Sequence, residues 1–310
     1  MHTLLAQFLT TMTIDFIGIG VPRAGTTYLS SVLATHPEIC ISHSKETHFF
    51  LTGELRGKAT PREQYYETDG LNAIERYFSH CKPFSVRGEF SPWYIYDTAA
   101  LTAIKNEFPD CKYLIVLRDP VSRALSAHRH LLSGGKVPAR FEKAAAARPE
   151  IIEQSFYASY LENVFSIIPK ERVLVMIYEE MISEQEKTME TLANFLGVSN
   201  NFDIASDDIL QNASYTRALP LEKRVYGVLQ MFPRLHKIRR AIPRSLRITL
   251  KQTARNKLSR RAKPAGEETI AELRSQLIPD IHRTEEILGR TPIANFIGVR
   301  HFYVGVIPTK

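Results

Sequence analysis

Three stretches of the chain are apolar almost without a break and rich in β-branched residues: "IDFIGIGV" from Ile14, "KYLIVLRD" from Lys112 and "RVLVMIYEE" from Arg172. Runs that do not alternate polar with apolar positions predict strands buried on both faces, as in a parallel sheet with helices on either side. A segment of helical character follows each run. After the first, a glycine-bearing loop leads into "TTYLSSVLATH" from Thr26; after the second, Asp119 and Pro120 have the residue types of an N-cap and first helical position ahead of "VSRALSAHRHLL". Further on, "SEQEKTMETLANFLGV" has the periodicity of an amphipathic helix stopped by Gly197, and "EETIAELRSQLIPDIHRTEEILG" predicts another, interrupted at Pro279.

Repeated strand–helix units predict an α/β fold, a P-loop-like parallel sheet flanked by helices on both faces, in a single domain. Its α/β core is expected over 14–200, and 201–310 reads as a mainly helical, basic C-terminal part. At 310 residues and 44% hydrophobic, the chain is long enough to bury a large core. Loops long enough to contact a substrate are expected around 51–70 and 133–149.

Charge changes the picture only locally. The net charge is +7, but Arg217–Lys263 holds fifteen Lys or Arg and one acid, Glu222, leaving 25 basic and 32 acidic residues elsewhere. The segment 217–263 therefore reads either as a set of solvated basic helices or as a surface for an anionic partner, such as a membrane or an anionic acceptor. Nucleic acid is the less favoured partner, because neither zinc spacing nor an aromatic-interleaved basic motif accompanies the charge. Cys40, Cys81 and Cys111 are odd in number, widely spaced and free of any C-x-x-C, which predicts neither a disulfide framework nor a zinc site and fits a reducing compartment. The N-terminus "MHTLLAQFLTTMTIDFIG" lacks a basic leader and a cleavage pattern, and its uncharged run ends at Asp15; a cytoplasmic location is the expectation.

The candidate chemistry begins at "GVPRAGTT", Gly20 to Thr27. Glycines at this spacing between a strand and a helix present backbone N–H groups and the helix dipole to a phosphate. A nucleoside triphosphatase would put lysine directly after the second glycine. Thr26 stands there instead, and Arg23 is the loop's one cation. That substitution counts against a nucleotide kinase.

"GVPRAGTTYL", "THPEI" with "KETHFF", and "LIVLRDPVSRALSAH" together resemble the sulfotransferases that use 3′-phosphoadenylyl sulfate (PAPS), and "IYEEM" with "TLANFLGV" resembles a further region of that family. The likeness covers roughly 14–200, with weaker echoes in "QNASYTR" and "EEILGR". The loop is similar to the arginine-bearing form of tyrosylprotein and bacterial enzymes, whereas "KETHFF" is similar to carbohydrate, heparan-type enzymes. The resemblance implies that Arg23, Ala24, Gly25, Thr26 and Thr27 hold the 5′-phosphosulfate, that Arg118 and Ser126 bind the 3′-phosphate, and that no metal is required.

It also implies that Glu46 is the general base for an acceptor hydroxyl, with Arg23 at the departing phosphate and His48 either a catalytic donor or a core histidine. Lys45, Glu89 and Trp93 are candidate acceptor contacts. Phe90 departs from the heparan-type pattern, which commonly has lysine there, and this points to an apolar or aromatic wall around Trp93. The implied acceptor is a hydroxyl of a carbohydrate or glycolipid; a tyrosyl or phenolic hydroxyl is the alternative within the same chemistry, and a basic nucleic-acid- or membrane-binding protein the alternative outside it.

Overall fold

The computed structural model describes residues 13–58, 65–83, 85–203 and 265–289. The basic segment 217–263, the first twelve residues and "QNASYTR" lie outside them. Among the described residues, five strands form one parallel sheet in the order β2-β3-β1-β4-β5. In chain order they are β1 (Phe16–Gly20), β2 (Ile39–Ile41), β3 (Val86–Phe90), β4 (Lys112–Leu117) and β5 (Val173–Ile177). The helices are α1 (Thr26–Leu33), α2 (Gly53–Lys58), α3 (Tyr66–Asp69), α4 (Thr98–Glu107), α5 (Pro120–Ser133), α6 (Phe141–Ala147), α7 (Glu150–Glu153), α8 (Ala158–Ile167), α9 (Tyr178–Ser183), α10 (Gln185–Leu196) and α11 (Glu267–Leu288).

The three apolar runs are β1, β4 and β5, which are the central strand and its neighbours on one side, and all residues of β1 and β5 are buried. Removing them from water is the main favourable term, roughly 1.5–3 kcal/mol for each large aliphatic side chain. Short β2 and the polar-looking β3, "VRGEF", complete the other side. Close packing explains the small residues there. A Cβ on Gly18 would stand 2.1 Å from the Phe90 ring, and one on Gly88 would meet Phe16 at the same distance. Phe90 is thus a core ring, fully buried and edge-on to Phe16.

Asp119 caps α5 as its residue type suggests, its carboxylate accepting from the Ser122 N–H at 2.7 Å ahead of Pro120. Gly197 ends α10 in the left-handed conformation, with φ 78°. Two expectations are corrected. The last helix, α11, continues through Pro279 to Leu288. Its apolar face, including Leu273, Leu277, Ile281 and Leu288, is buried, and that packing outweighs the hydrogen bond that proline removes. Asp280 in the same helix accepts from the backbone N–H groups of Tyr157 (2.7 Å) and Ala158 (3.2 Å), capping α8.

The second correction concerns the cysteines. Cys40 on β2 and Cys81, after a 3-10 turn at Leu71–Tyr77, form a disulfide with a Cα–Cα distance of 5.7 Å. Their separation of 41 residues hid the pairing, which arises because the His43 N–H donates to the Tyr77 carbonyl at 2.8 Å and lays the two segments side by side. Cys111 is free and buried.

Candidate active site

The loop 20–27 leaves the C-terminal end of the central strand, where ligands of open parallel sheets bind. Gly25 is the N-cap of α1 with φ 95°; no side chain caps this helix end and no acid occupies its first turn, so the first-turn N–H groups and the dipole favour an anion. A Cβ at Gly25 would lie 2.3 Å from the ring of Tyr178 at the start of α9, so the position requires glycine on two counts. Arg23 also has a left-handed backbone, φ 75°, unusual for a residue with a side chain.

Two arginines converge on this loop. Arg118, just after β4, donates from Nη1 to the carbonyl of Arg23 at 3.4 Å, and its guanidinium lies 4.6 Å over the Tyr178 ring. The Nε atoms of Arg23 and Arg118 are buried without a hydrogen-bond partner. Glu179 Oε1 stands 3.9 Å from Arg118 Nε, beyond hydrogen-bond reach, while the Glu179 carboxylate accepts from the Asp119 N–H at 3.3 and 3.4 Å. Burial lowers Arg23 to about 10, an effect that Glu46 opposes and that the charges of Arg118, Arg129 and Arg123 reinforce. Arg23 remains cationic at neutral pH. Arg129 is likewise lowered, by burial and then by Arg118, which identifies a cluster of like charge that an anion would relieve. Ser126 is buried on α5.

Arg123, in the same charge field, is fully buried and donates to Ser155 Oγ at 2.7 Å and to the Ile151 carbonyl. It anchors 151–155 rather than meeting solvent. Tyr157 donates its hydroxyl proton to the Arg118 carbonyl at 2.9 Å, tying that strand end to α8.

The second wall is the loop 42–50. Lys45 Nζ donates to Glu46 Oε1 at 3.1 Å, and His48 Nε2 lies 3.4 Å from Glu46 Oε2. His48 itself is buried, with φ 52°. Behind the loop, fully buried Glu89 accepts on Oε2 from Thr47 Oγ1 (2.7 Å), the Thr47 N–H (3.3 Å) and Ser91 Oγ (2.9 Å). Ser91 Oγ in turn accepts from the His48 N–H at 2.9 Å. Glu89 therefore supports the loop from within, and burial raises its carboxyl above the ordinary range. Trp93, half-buried, stands edge-on to Tyr96 at 6.0 Å, and Tyr96 to Tyr160 at 4.7 Å.

Arg23, Glu46 and Arg118 thus share one electrostatic neighbourhood. Tyr178 and Glu179, which lie against Arg118, carry within "IYEEM" only the signal of their position, at the C-terminal end of a buried strand.

A parallel α/β sheet whose central strand delivers an uncapped, arginine-flanked helix end defines a protein of the P-loop-like class. The chain belongs to the sulfotransferase family, whose model matches residues 15–203. It is similar to human heparan sulfate glucosamine 3-O-sulfotransferase 5, 26% identical over 192 residues that cover 58% of this chain and 52% of that protein. Carbohydrate sulfotransferase 15 of Rattus norvegicus is 24% identical over 243 residues, 59% of this chain and 43% of that protein. The chain spans about half the length of such relatives. Its fold is that of the solved sulfotransferase from Alicyclobacillus acidocaldarius, with TM-score 0.64 at 22% identity, covering 92% of this chain and 99% of that one. Among the described residues, no helix is long and apolar enough to cross a membrane.

Proposed function

We propose that the chain is a PAPS-dependent sulfotransferase that moves a sulfuryl group to a hydroxyl of a carbohydrate or glycolipid, with Glu46 as general base. The observation that carries this reading is the pair of buried Nε atoms of Arg23 and Arg118, neither with a hydrogen-bond partner, beside an uncapped helix end. These groups fit a donor with two separate phosphate sites. When bound, PAPS supplies the sulfuryl group. Arg23 and the N–H groups of Gly25, Thr26 and Thr27, with Ala24 packed beneath, would hold the 5′-phosphosulfate; Arg118 and Ser126 would hold the 3′-phosphate. Arginine charge takes the place a divalent metal fills in triphosphate chemistry.

Glu46 would take the acceptor proton as the new S–O bond forms, oriented by Lys45 and His48. His48 is the first alternative base. An acceptor of carbohydrate type is supported by the names of the relatives and by "KETHFF". The aromatic row Trp93, Tyr96 and Tyr160 favours a second reading, in which a phenolic ring is the acceptor. A cytoplasmic location and an anionic partner for 217–263 belong to the same proposal.

Sulfur-labelled PAPS incubated with a panel of sugars, glycolipids, phenols and tyrosyl peptides tests it. Transfer to one class identifies the acceptor. Failure to transfer to any, together with failure to bind PAP, would overturn the reading.

A further inference from the structure

Away from the donor site, Cys40, His80 and Cys81 place two sulfurs and an imidazole nitrogen within 4.8 Å of one another. His80 Nε2 lies 3.5 Å from Cys40 Sγ and 3.2 Å from the Ile41 carbonyl, so the ring edge already faces the sulfur. We infer that, once the Cys40–Cys81 disulfide is reduced, these three side chains form a site for a thiophilic divalent cation such as Zn²⁺.

Two thiolates and a neutral imidazole are a donor set such ions favour, and water or a further donor completes a tetrahedron. With metal–sulfur bonds of about 2.3 Å, the sulfurs need to part to roughly 3.7 Å. His80 is exposed and Cys81 half-buried, which gives reductant and ion a way in. A dithiol reductant supplies the two electrons and two protons that open the bond and leaves as its own disulfide. Zn²⁺ then displaces the two thiol protons, so charge balances on binding. His80 Nε2 must offer its lone pair, which moves the ring proton to Nδ1 and releases the Ile41 carbonyl.

Either cross-link joins β2 to the segment after the 3-10 turn, and Cys40 stands six residues before Glu46. The ion would preserve in reducing surroundings the tether that the disulfide provides in oxidising ones. Cys111 is buried elsewhere in the core and takes no part.

The test is titration of the full chain with Co²⁺, an optical stand-in for Zn²⁺, before and after reduction by a phosphine that does not itself bind the metal. One equivalent with thiolate charge-transfer absorption is expected only after reduction, with displacement by Zn²⁺. Cys81→Ser should abolish the signal, and His80→Ala should weaken binding at least about tenfold. No stoichiometric binding to the reduced chain, equal binding to the oxidised chain, or unchanged affinity in His80→Ala would overturn the assignment. Should reduction unfold the chain, circular dichroism replaces absorbance: recovery of helical signal with Zn²⁺ supports the site, and no recovery overturns it.

Discussion

Glu46 is held from both sides, Oε1 at 3.1 Å from Lys45 Nζ and Oε2 at 3.4 Å from His48 Nε2. Its neighbours fix where the carboxylate points, which the proposed general-base role requires. Glu46→Gln keeps the shape and removes the basicity. Turnover should fall on the order of 10²-fold or more while PAP affinity measured by calorimetry stays nearly intact. Normal turnover with the true acceptor would move the base to His48.

Arg118 should discriminate between donors. Losing it should weaken PAP far more than adenosine 5′-phosphosulfate, which lacks the 3′-phosphate, and calorimetry in excess EDTA measures both. Equal losses would remove its assignment, and an absolute need for Mg²⁺ would defeat the arginine-for-metal argument.

Gly25→Ala should damage the loop twice over. A left-handed backbone costs an L-residue about 1–2 kcal/mol, and the new Cβ would press on Tyr178, the ring beneath Arg118. We expect PAP affinity to drop at least about tenfold, equivalent to about 1.4 kcal/mol, with a lower melting temperature. Wild-type affinity in this variant would mean that the Gly25–Tyr178 contact is not what shapes the anion site.

Glu89 gives a pH dependence with a defined sign. Burial raises its carboxyl in the folded chain, so between the ordinary value of 4.5 and that raised value the folded state holds a proton that the unfolded state has lost. Its contribution is greatest below the unfolded value and declines as pH rises through the folded one. Glu89→Gln cannot titrate. Urea melts from pH 4 to 8 should show the variant gaining on the wild type as pH rises; parallel curves would refute this.

The strands that run without polar interruption were legible in the sequence, because β1, β4 and β5 are buried on both faces and need apolar residues throughout. Strands β2 and β3 were not, since "ICI" is short and "VRGEF" carries two charged residues and a glycine. Only the fold reveals why: Glu89 turns inward to hold Thr47 and Ser91, and Gly88 makes room for Phe16. The site was legible where local geometry makes it, at the glycine loop and at the cap of α5. It was not legible where distant segments meet, as at Tyr178 against Gly25 or Cys40 against Cys81. Pro279 misled because its local cost is real while the packing that offsets it lies in other parts of the chain.

The cap that Asp280 places on α8 reaches further than helix stability. Tyr157, whose N–H it receives, holds the Arg118 carbonyl through its own hydroxyl, and Arg118 in turn holds the carbonyl of Arg23. The family match ends at residue 203, yet α11 lies beyond it and fills part of the core. A fragment cut at that boundary would keep every proposed donor contact and still lack the cap on α8, with the apolar faces of α8 and α5 that α11 covers opened to water. A fragment that is to fold as the full chain does is therefore expected to need residues at least to Leu288.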